Sequence, residues 1–215
     1  MLNNKFFYII VVLLYSNIVH AQKGMDQINI NGQFVMAARA GQVARVAALL
    51  DGGASINSRD RNGDTPLNMA AAKGNEALAD VLLKAGANVN LANLAGVTPL
   101  MGASFSTKPE LVRKLLAAGA RVEPLDRVKK NAATYAAGSG CTACLEQLLA
   151  AGAQVNARLD NDLTLLMWAA AYGHESAARM LLARGAERGY KDNRGKTAAD
   201  MAREGNHLAL IPLLE

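Results

Sequence analysis

The chain has 215 residues, of which 51% are hydrophobic and 19% charged, and its formal net charge is +5. This composition excludes an intrinsically disordered chain, which needs low hydrophobicity and high charge. With one Trp, five Tyr and four Phe, the core must be built mainly from Ala, Leu and Val. Such a core suits close-packed helices, because Ala and Leu are strong helix formers.

The first 21 residues have the pattern of an export signal. Lys5 supplies a positive charge before an apolar run over residues 6–15, which is too short for a membrane span of roughly 20 residues. Residues 19–21 (Val-His-Ala) then suit a cleavage site. We expect residues 1–21 to be a cleaved signal peptide that sends the protein to the periplasm or the medium, with 22–31 as a short linker. An uncleaved anchor is the alternative; after cleavage we expect no membrane association.

A 33-residue period organises the rest of the chain. A Leu-Leu pair, followed three residues later by Gly-Ala, recurs five times without drift, starting at Leu49, Leu82, Leu115, Leu148 and Leu181. A fixed period of this length is typical of repeat proteins that stack short structural units. The period therefore predicts a solenoid, in which each unit packs only on its neighbours.

One copy, residues 60–92, shows what each unit contains. Gly63 suits a turn with positive φ, and Pro66 suits the first position of a helix, where its missing N–H costs nothing. Leucines at helical spacing follow, and Gly86 is typical of a helix C-terminus. The copy predicts two short helices, at about 66–72 and 76–85.

These motifs resemble the ankyrin repeat. The resemblance rests on Gly-Asp-Thr-Pro-Leu at 63–67, Val-Thr-Pro-Leu at 97–100, and the recurring Leu-Leu and Gly-Ala pairs. It covers residues 32–215 and implies an all-α solenoid of about six helix-turn-helix repeats with protruding turn hairpins. We number these repeats 1 to 6 and place them at 32–59, 60–92, 93–125, 126–158, 159–191 and 192–215. Repeats 1 and 6 are expected to be caps.

The resemblance also implies a non-catalytic module that binds a protein partner on its concave side, through hairpin tips and the exposed side of each first helix. In the 33-residue register, the partner-facing positions that the resemblance implies are occupied by Arg61, Leu94, Val97, Phe105, Arg127, Lys130, Leu163 and Tyr172. For Leu94 and Val97, packing against neighbouring turns is an equal alternative. Trp168 shares its register with Met69 and Tyr135, so we assign it to the core.

No motif for catalysis, phosphate binding or metal binding occurs in the sequence. We therefore expect no enzyme activity, no cofactor and no metal site, and we expect a monomer. Basic residues cluster at 127–130 and 191–196. In an exported protein such clusters favour a solvated edge or an acidic protein partner over nucleic acid.

Cys141 and Cys144 lie at the start of the second helix of repeat 4. Residues three apart on a helix have Cα atoms roughly 5 Å apart, which a disulfide can span, and exported proteins meet an oxidising compartment. We expect a local disulfide, with two reduced cysteines or a redox-active pair as alternatives. Polar residues share the register of Cys141 in the other repeats, which predicts that it is partly exposed.

The leading interpretation is an exported protein-interaction module. An export signal followed by a compact repeat array resembles small exported bacterial ankyrin repeat proteins, some of which are associated with oxidative-stress defence. Two alternatives remain open at this point. One is a thiol-disulfide redox protein that uses Cys141 and Cys144, and the other is a secreted effector that acts on host proteins.

Overall fold

The computed structural model describes residues 29–215, and the regular structure within them is entirely helical. Helix α1 covers 29–39. The others are α2 (Val43–Asp51), α3 (Pro66–Ala72), α4 (Glu76–Lys84), α5 (Pro99–Phe105), α6 (Pro109–Ala117), α7 (Ala132–Ser139), α8 (Thr142–Ala150), α9 (Leu165–Ala171), α10 (Glu175–Ala183), α11 (Ala198–Glu204) and α12 (Ile211–Leu214). Short 3₁₀ helices cover Asp160–Asp162 and Leu208–Leu210.

The helices form two rows. Helices α3, α5, α7, α9 and α11 pack side by side as an inner row, and the second helix of each repeat packs behind the first. The outer row contains α2, α4, α6, α8 and α10. This arrangement confirms the predicted all-α solenoid of stacked helix pairs.

Most inner helices begin at a capping Thr. The Thr65 hydroxyl accepts the Asn68 N–H, and the Asn68 side chain accepts the Thr65 N–H. The same reciprocal cap begins α5 at Thr98, α9 at Thr164 and α11 at Thr197. Such caps satisfy N–H groups that have no partner within the helix.

The core is built from small and branched aliphatic side chains. One alanine of each inner helix is at most 1% exposed, at Ala70, Ala103, Ala136, Ala169 and Ala202. These small residues let neighbouring inner helices approach closely. Leucines of the outer row, including Leu82, Leu115, Leu148 and Leu181, are fully buried behind them.

Two hairpins keep the common turn without glycine. Lys129 and Asp162 adopt φ values of 55° and 62° at the positions where repeats 2, 3 and 6 have Gly63, Gly96 and Gly195. A left-handed backbone is costly for residues with a side chain, so contacts around the turn must enforce it. In repeat 4, the buried carboxylate of Asp126 accepts two N–H groups of the turn.

The two ends of the described chain differ in build. Residues 29–31, expected in the linker, already belong to α1, because Ile30 packs against the core. The predicted signal peptide and residues 22–28 lie outside the described residues. Repeat 6 ends in a 3₁₀ turn and the four-residue helix α12 instead of a full outer helix. Among residues 29–215, no helix is long and apolar enough to cross a membrane.

Candidate functional site: an aromatic cluster on the inner face

The hairpins and the exposed sides of the inner-row helices form one face of the solenoid, which we call the inner face. At repeats 3 to 5 it presents four rings, Phe105, Tyr135, Trp168 and Tyr172, which we call the aromatic cluster. Phe105 is the last residue of α5, and Tyr172 follows the end of α9. Side chains at helix ends have fewer neighbours to cover them, and these two are 63% and 55% exposed.

The rings of the aromatic cluster contact one another in pairs. Phe105 and Tyr135 meet edge to face, with centroids 6.1 Å apart. Trp168 and Tyr172 are nearly parallel, with centroids 6.0 Å apart. Both are favourable arrangements for aromatic side chains, so the cluster is an ordered surface.

Lys130 joins the two ring pairs. Its Nζ lies 4.3 Å from the centroid of Trp168 and 5.9 Å from that of Tyr135, which is within the range of cation–π attraction. Among residues 29–215, neither Lys130 nor Arg127 of the same hairpin forms an ion pair. The site therefore presents positive charge directly beside apolar rings.

Asp126 holds two members of this site in place. Its Oδ1 accepts the N–H groups of Val128 and Lys130 at 2.9 and 2.8 Å, which closes the hairpin turn. Its Oδ2 accepts the Tyr135 hydroxyl at 2.5 Å. Burial and this bond to the Asp126 carboxylate raise the pKa of Tyr135, so its hydroxyl keeps its proton, and stays a donor, to a higher pH than an ordinary Tyr does.

Two pockets open on either side of a shared wall formed by Trp168 and Tyr172. The first, about 150 Å³, is completed by Phe105, Lys130, Thr134, Tyr135 and Gly138. The second, about 380 Å³, lies toward repeat 6 and is completed by Leu163, Met167, Ala171, Arg194, Met201, Glu204 and Gly205. Gly138 makes room at the first pocket, since a Cβ there would already contact the Trp168 ring at 3.6 Å.

The structure brings three of the predicted partner residues together, Phe105, Lys130 and Tyr172. Leu163 packs against the core and also lines the second pocket. Val97 is partly buried against the core.

The other predicted residues line neither of the two pockets beside the aromatic cluster. Arg61, Leu94 and Arg127 are exposed at hairpin tips. Arg61 lines a separate depression of about 940 Å³ between repeats 1 and 2.

Sequence reasoning missed two members of the site, Tyr135 and Trp168. Trp168 does pack against the core, as predicted, but its ring also forms the wall between the two pockets. An indole is too large to be covered by the Ala-rich inner row. One sequence feature could have pointed to the cluster: Lys130 lies on the hairpin that precedes Tyr135. The repeat register alone did not place this cation beside Trp168.

Cys141 and Cys144 lie together at the start of α8. Their Cα atoms are 5.2 Å apart and their Sγ atoms lie at bonding distance. Cys141 is 7% exposed and Cys144 is 0% exposed, so the expected partial exposure of Cys141 is wrong. Its short side chain turns back onto α8, where Sγ accepts the Cys144 N–H at 3.3 Å.

The described residues offer no cluster of metal-ligating side chains. Within 29–215, no three or more His, Cys, Asp or Glu residues lie close enough to hold a metal ion. The ring of His174 is instead used in packing between repeats, with Nε2 3.0 Å from the carbonyl oxygen of Gly138.

Comparison with known families agrees with this architecture. A family model described as ankyrin repeats in three copies matches residues 34–126 and 133–214. No curated protein sequence gives a significant match. Ankyrin repeats serve as protein–protein interaction modules. Since the matched segments span most of the chain and the helix pairs repeat in the same register, this protein belongs to the ankyrin repeat family.

Proposed function

We propose that this protein is a non-catalytic interaction module that works outside the cytoplasm and binds a protein partner through its aromatic cluster. The observation that carries the proposal is the exposure of Phe105 and Tyr172 beside a pocket on the inner face. Large aromatic side chains that stay exposed next to a pocket are typical of binding hot spots.

The surroundings of the cluster support the same proposal. Trp168 and Tyr135 present ring faces and edges at positions held by packing, and Asp126 holds Lys130 beside them. A preformed surface loses little conformational entropy when a partner binds. The apolar rings with a cation at their edge match the composition of protein interfaces, where aromatic residues are enriched.

A site-specific cross-linker tests this proposal. We would replace Phe105 with a photoreactive phenylalanine analogue and, as the matched control, place the same analogue at Glu146, an exposed residue of the outer helix α8. We expect a discrete cross-linked partner from Phe105, lost when Tyr172→Ala is added, and none from Glu146. Equal cross-linking from both positions would show that the aromatic cluster is not the binding surface.

Export is the second part of the proposal, and its support lies in residues 1–21 of the sequence. When the full chain is expressed, we expect the protein to be recovered outside the cytoplasm with a shortened N-terminus. When residues 1–21 are deleted, we expect it to stay inside. Fractionation followed by mass spectrometry of the N-terminal peptide measures both. A role in oxidative-stress defence is tested separately, by comparing peroxide survival of cells with and without the gene.

Cys141 and Cys144 are proposed as a structural disulfide. Burial of both side chains supports this role over thiol exchange, because a redox cysteine must be reached by its substrate. We expect protein purified from the exported fraction to have no free thiol without reductant, and no insulin-reducing activity above a Cys141→Ser control. Two titratable thiols, or clear reductase activity, would contradict the structural role.

A further inference from the structure

We infer that the partner presents an acidic, apolar peptide segment to this site, with one large apolar side chain in each of the two pockets and a carboxylate at Lys130. This inference rests on the proposed function, and it adds the chemistry of the ligand. It is carried by the volumes of the two pockets, by the wall they share and by the charges around them.

The first pocket has the size of a single side chain. Its volume is about 150 Å³, and an apolar cavity of this volume is large enough for benzene. Its lining is mainly aromatic and includes Gly138, which adds no side chain to fill it. A leucine, phenylalanine or similar side chain therefore fits there.

The second pocket is larger, about 380 Å³, which is the size of a small-molecule cleft, so it has room for one large apolar side chain. Because Trp168 and Tyr172 line both pockets, the two lie side by side along the inner row. Neighbouring packed helices are about 8–10 Å apart, which an extended peptide covers in two or three residues. The two apolar anchors are thus expected two or three residues apart.

The charges decide what must accompany the anchors. Lys130 is partly buried over Trp168, and it has no ion-pair partner among residues 29–215. A partner that covers the cluster removes water from this ammonium group, which is unfavourable unless an opposite charge replaces the water. A carboxylate next to the anchors supplies that charge.

The same surroundings disfavour a polyanion or a basic segment. Asp160, Asp162 and Glu204 lie on the neighbouring hairpin and at the second pocket, where they are ion-paired with Lys129, Arg158 and Lys196. The surface there alternates in sign, so a continuous row of phosphates would meet carboxylates as well as cations. A basic segment would instead face Lys130 and the exposed Arg127. One carboxylate flanked by apolar side chains fits the distribution of charge best.

Trp168 gives a direct readout, because it is the one Trp of the chain and lines both pockets. We would select peptides from a random twelve-residue display library on the purified full-length protein, then titrate capped synthetic copies while recording Trp168 emission. We expect selected peptides to carry Asp or Glu within two residues of paired large apolar residues, and binding to shift the emission.

Matched variants separate charge from fold. Lys130→Glu is expected to weaken binding of a selected peptide by about tenfold or more, and Lys130→Arg to retain it. Lys84→Glu, the same charge change at an exposed residue of the outer helix α4, is expected to change nothing. Replacing the peptide carboxylate with an amide removes the attraction without adding a repulsion, so it should also weaken binding, but by less than Lys130→Glu.

Three results would overturn the inference: enrichment of basic peptides, enrichment of none, or binding that is insensitive to Lys130→Glu. If any of these occurs while the Phe105 cross-linker still captures a partner, the interaction function stands and the ligand chemistry is wrong. If the cross-linker also fails, the aromatic cluster itself is not the interface.

Discussion

Asp126 is the residue whose loss should disturb the site most. Its carboxylate accepts the N–H groups of Val128 and Lys130 and the hydroxyl of Tyr135. Each turn bond contributes about 1 kcal/mol, because it is only part-buried and its N–H can rebind water. The charged bond to Tyr135 contributes about 2 kcal/mol. We therefore predict that Asp126→Ala lowers the free energy of unfolding by about 4 kcal/mol.

Asp126→Asn should be milder, and repeat 3 shows why. Asn93 occupies the equivalent position, and its Oδ1 accepts the N–H groups of Ala95 and Val97 at 2.9 and 3.0 Å. The Asn variant should keep both turn bonds and lose only the charged bond to Tyr135, about 2 kcal/mol. Tyr135→Phe should cost about as much, and the double variant little more than either, because both remove one shared bond.

Urea unfolding followed by circular dichroism measures the free energies, and Trp168 emission reports whether Lys130 still lies over the indole. We expect altered native-state emission for Asp126→Ala and near-native emission for Asp126→Asn. The reasoning is refuted if Asn costs as much as Ala. It is also refuted if the losses from Asp126→Asn and Tyr135→Phe are additive.

Three further predictions concern pH, packing between repeats and the C-terminal cap. Burial raises the pKa of Tyr135, so the stability that its hydroxyl contributes is complete below the ordinary Tyr pKa of about 10 and is lost as pH rises. Above about pH 10, wild type should therefore lose more stability than Tyr135→Phe. A parallel loss of the two proteins in denaturation curves would contradict this. Gly140→Ala should cost about 1 kcal/mol more than Gly195→Ala. Both glycines have a similar positive φ, 73° and 79°, but only at 140 would the new Cβ lie 2.6 Å from Nδ1 of His174, so equal losses in thermal unfolding would rule out the contact. Deleting 192–215 uncovers α9 and α10, so it should lower the melting temperature and cause self-association. An unchanged melting temperature and a monomeric elution volume would show that this segment is not a cap.

The sequence by itself determined the architecture, because ankyrin contacts repeat locally. A 33-residue period requires each unit to present the same faces to its neighbours. The helix expected at 66–72 therefore begins at its Thr65 cap and ends at Ala72 as predicted. The alanine series and the Leu-Leu pairs could be assigned to the core for the same reason. The exposed rings of Phe105 and Tyr172 were also predictable, since they stand where solvent-facing residues occur in other repeats.

Only the tertiary structure decided how the aromatic cluster is assembled. Trp168, Lys130 and Gly138 come from three different elements, and whether an indole is covered depends on what the adjacent repeat places beside it. Register treats equivalent positions alike, so it assigned Trp168 to core packing, which is correct but omits its exposed ring face, and it predicted that Cys141 is partly exposed. The ring is too large for an Ala-rich row to cover, and the short Cys141 side chain turns back onto α8. Contacts between side chains of neighbouring repeats are set in three dimensions, and a one-dimensional period does not contain them.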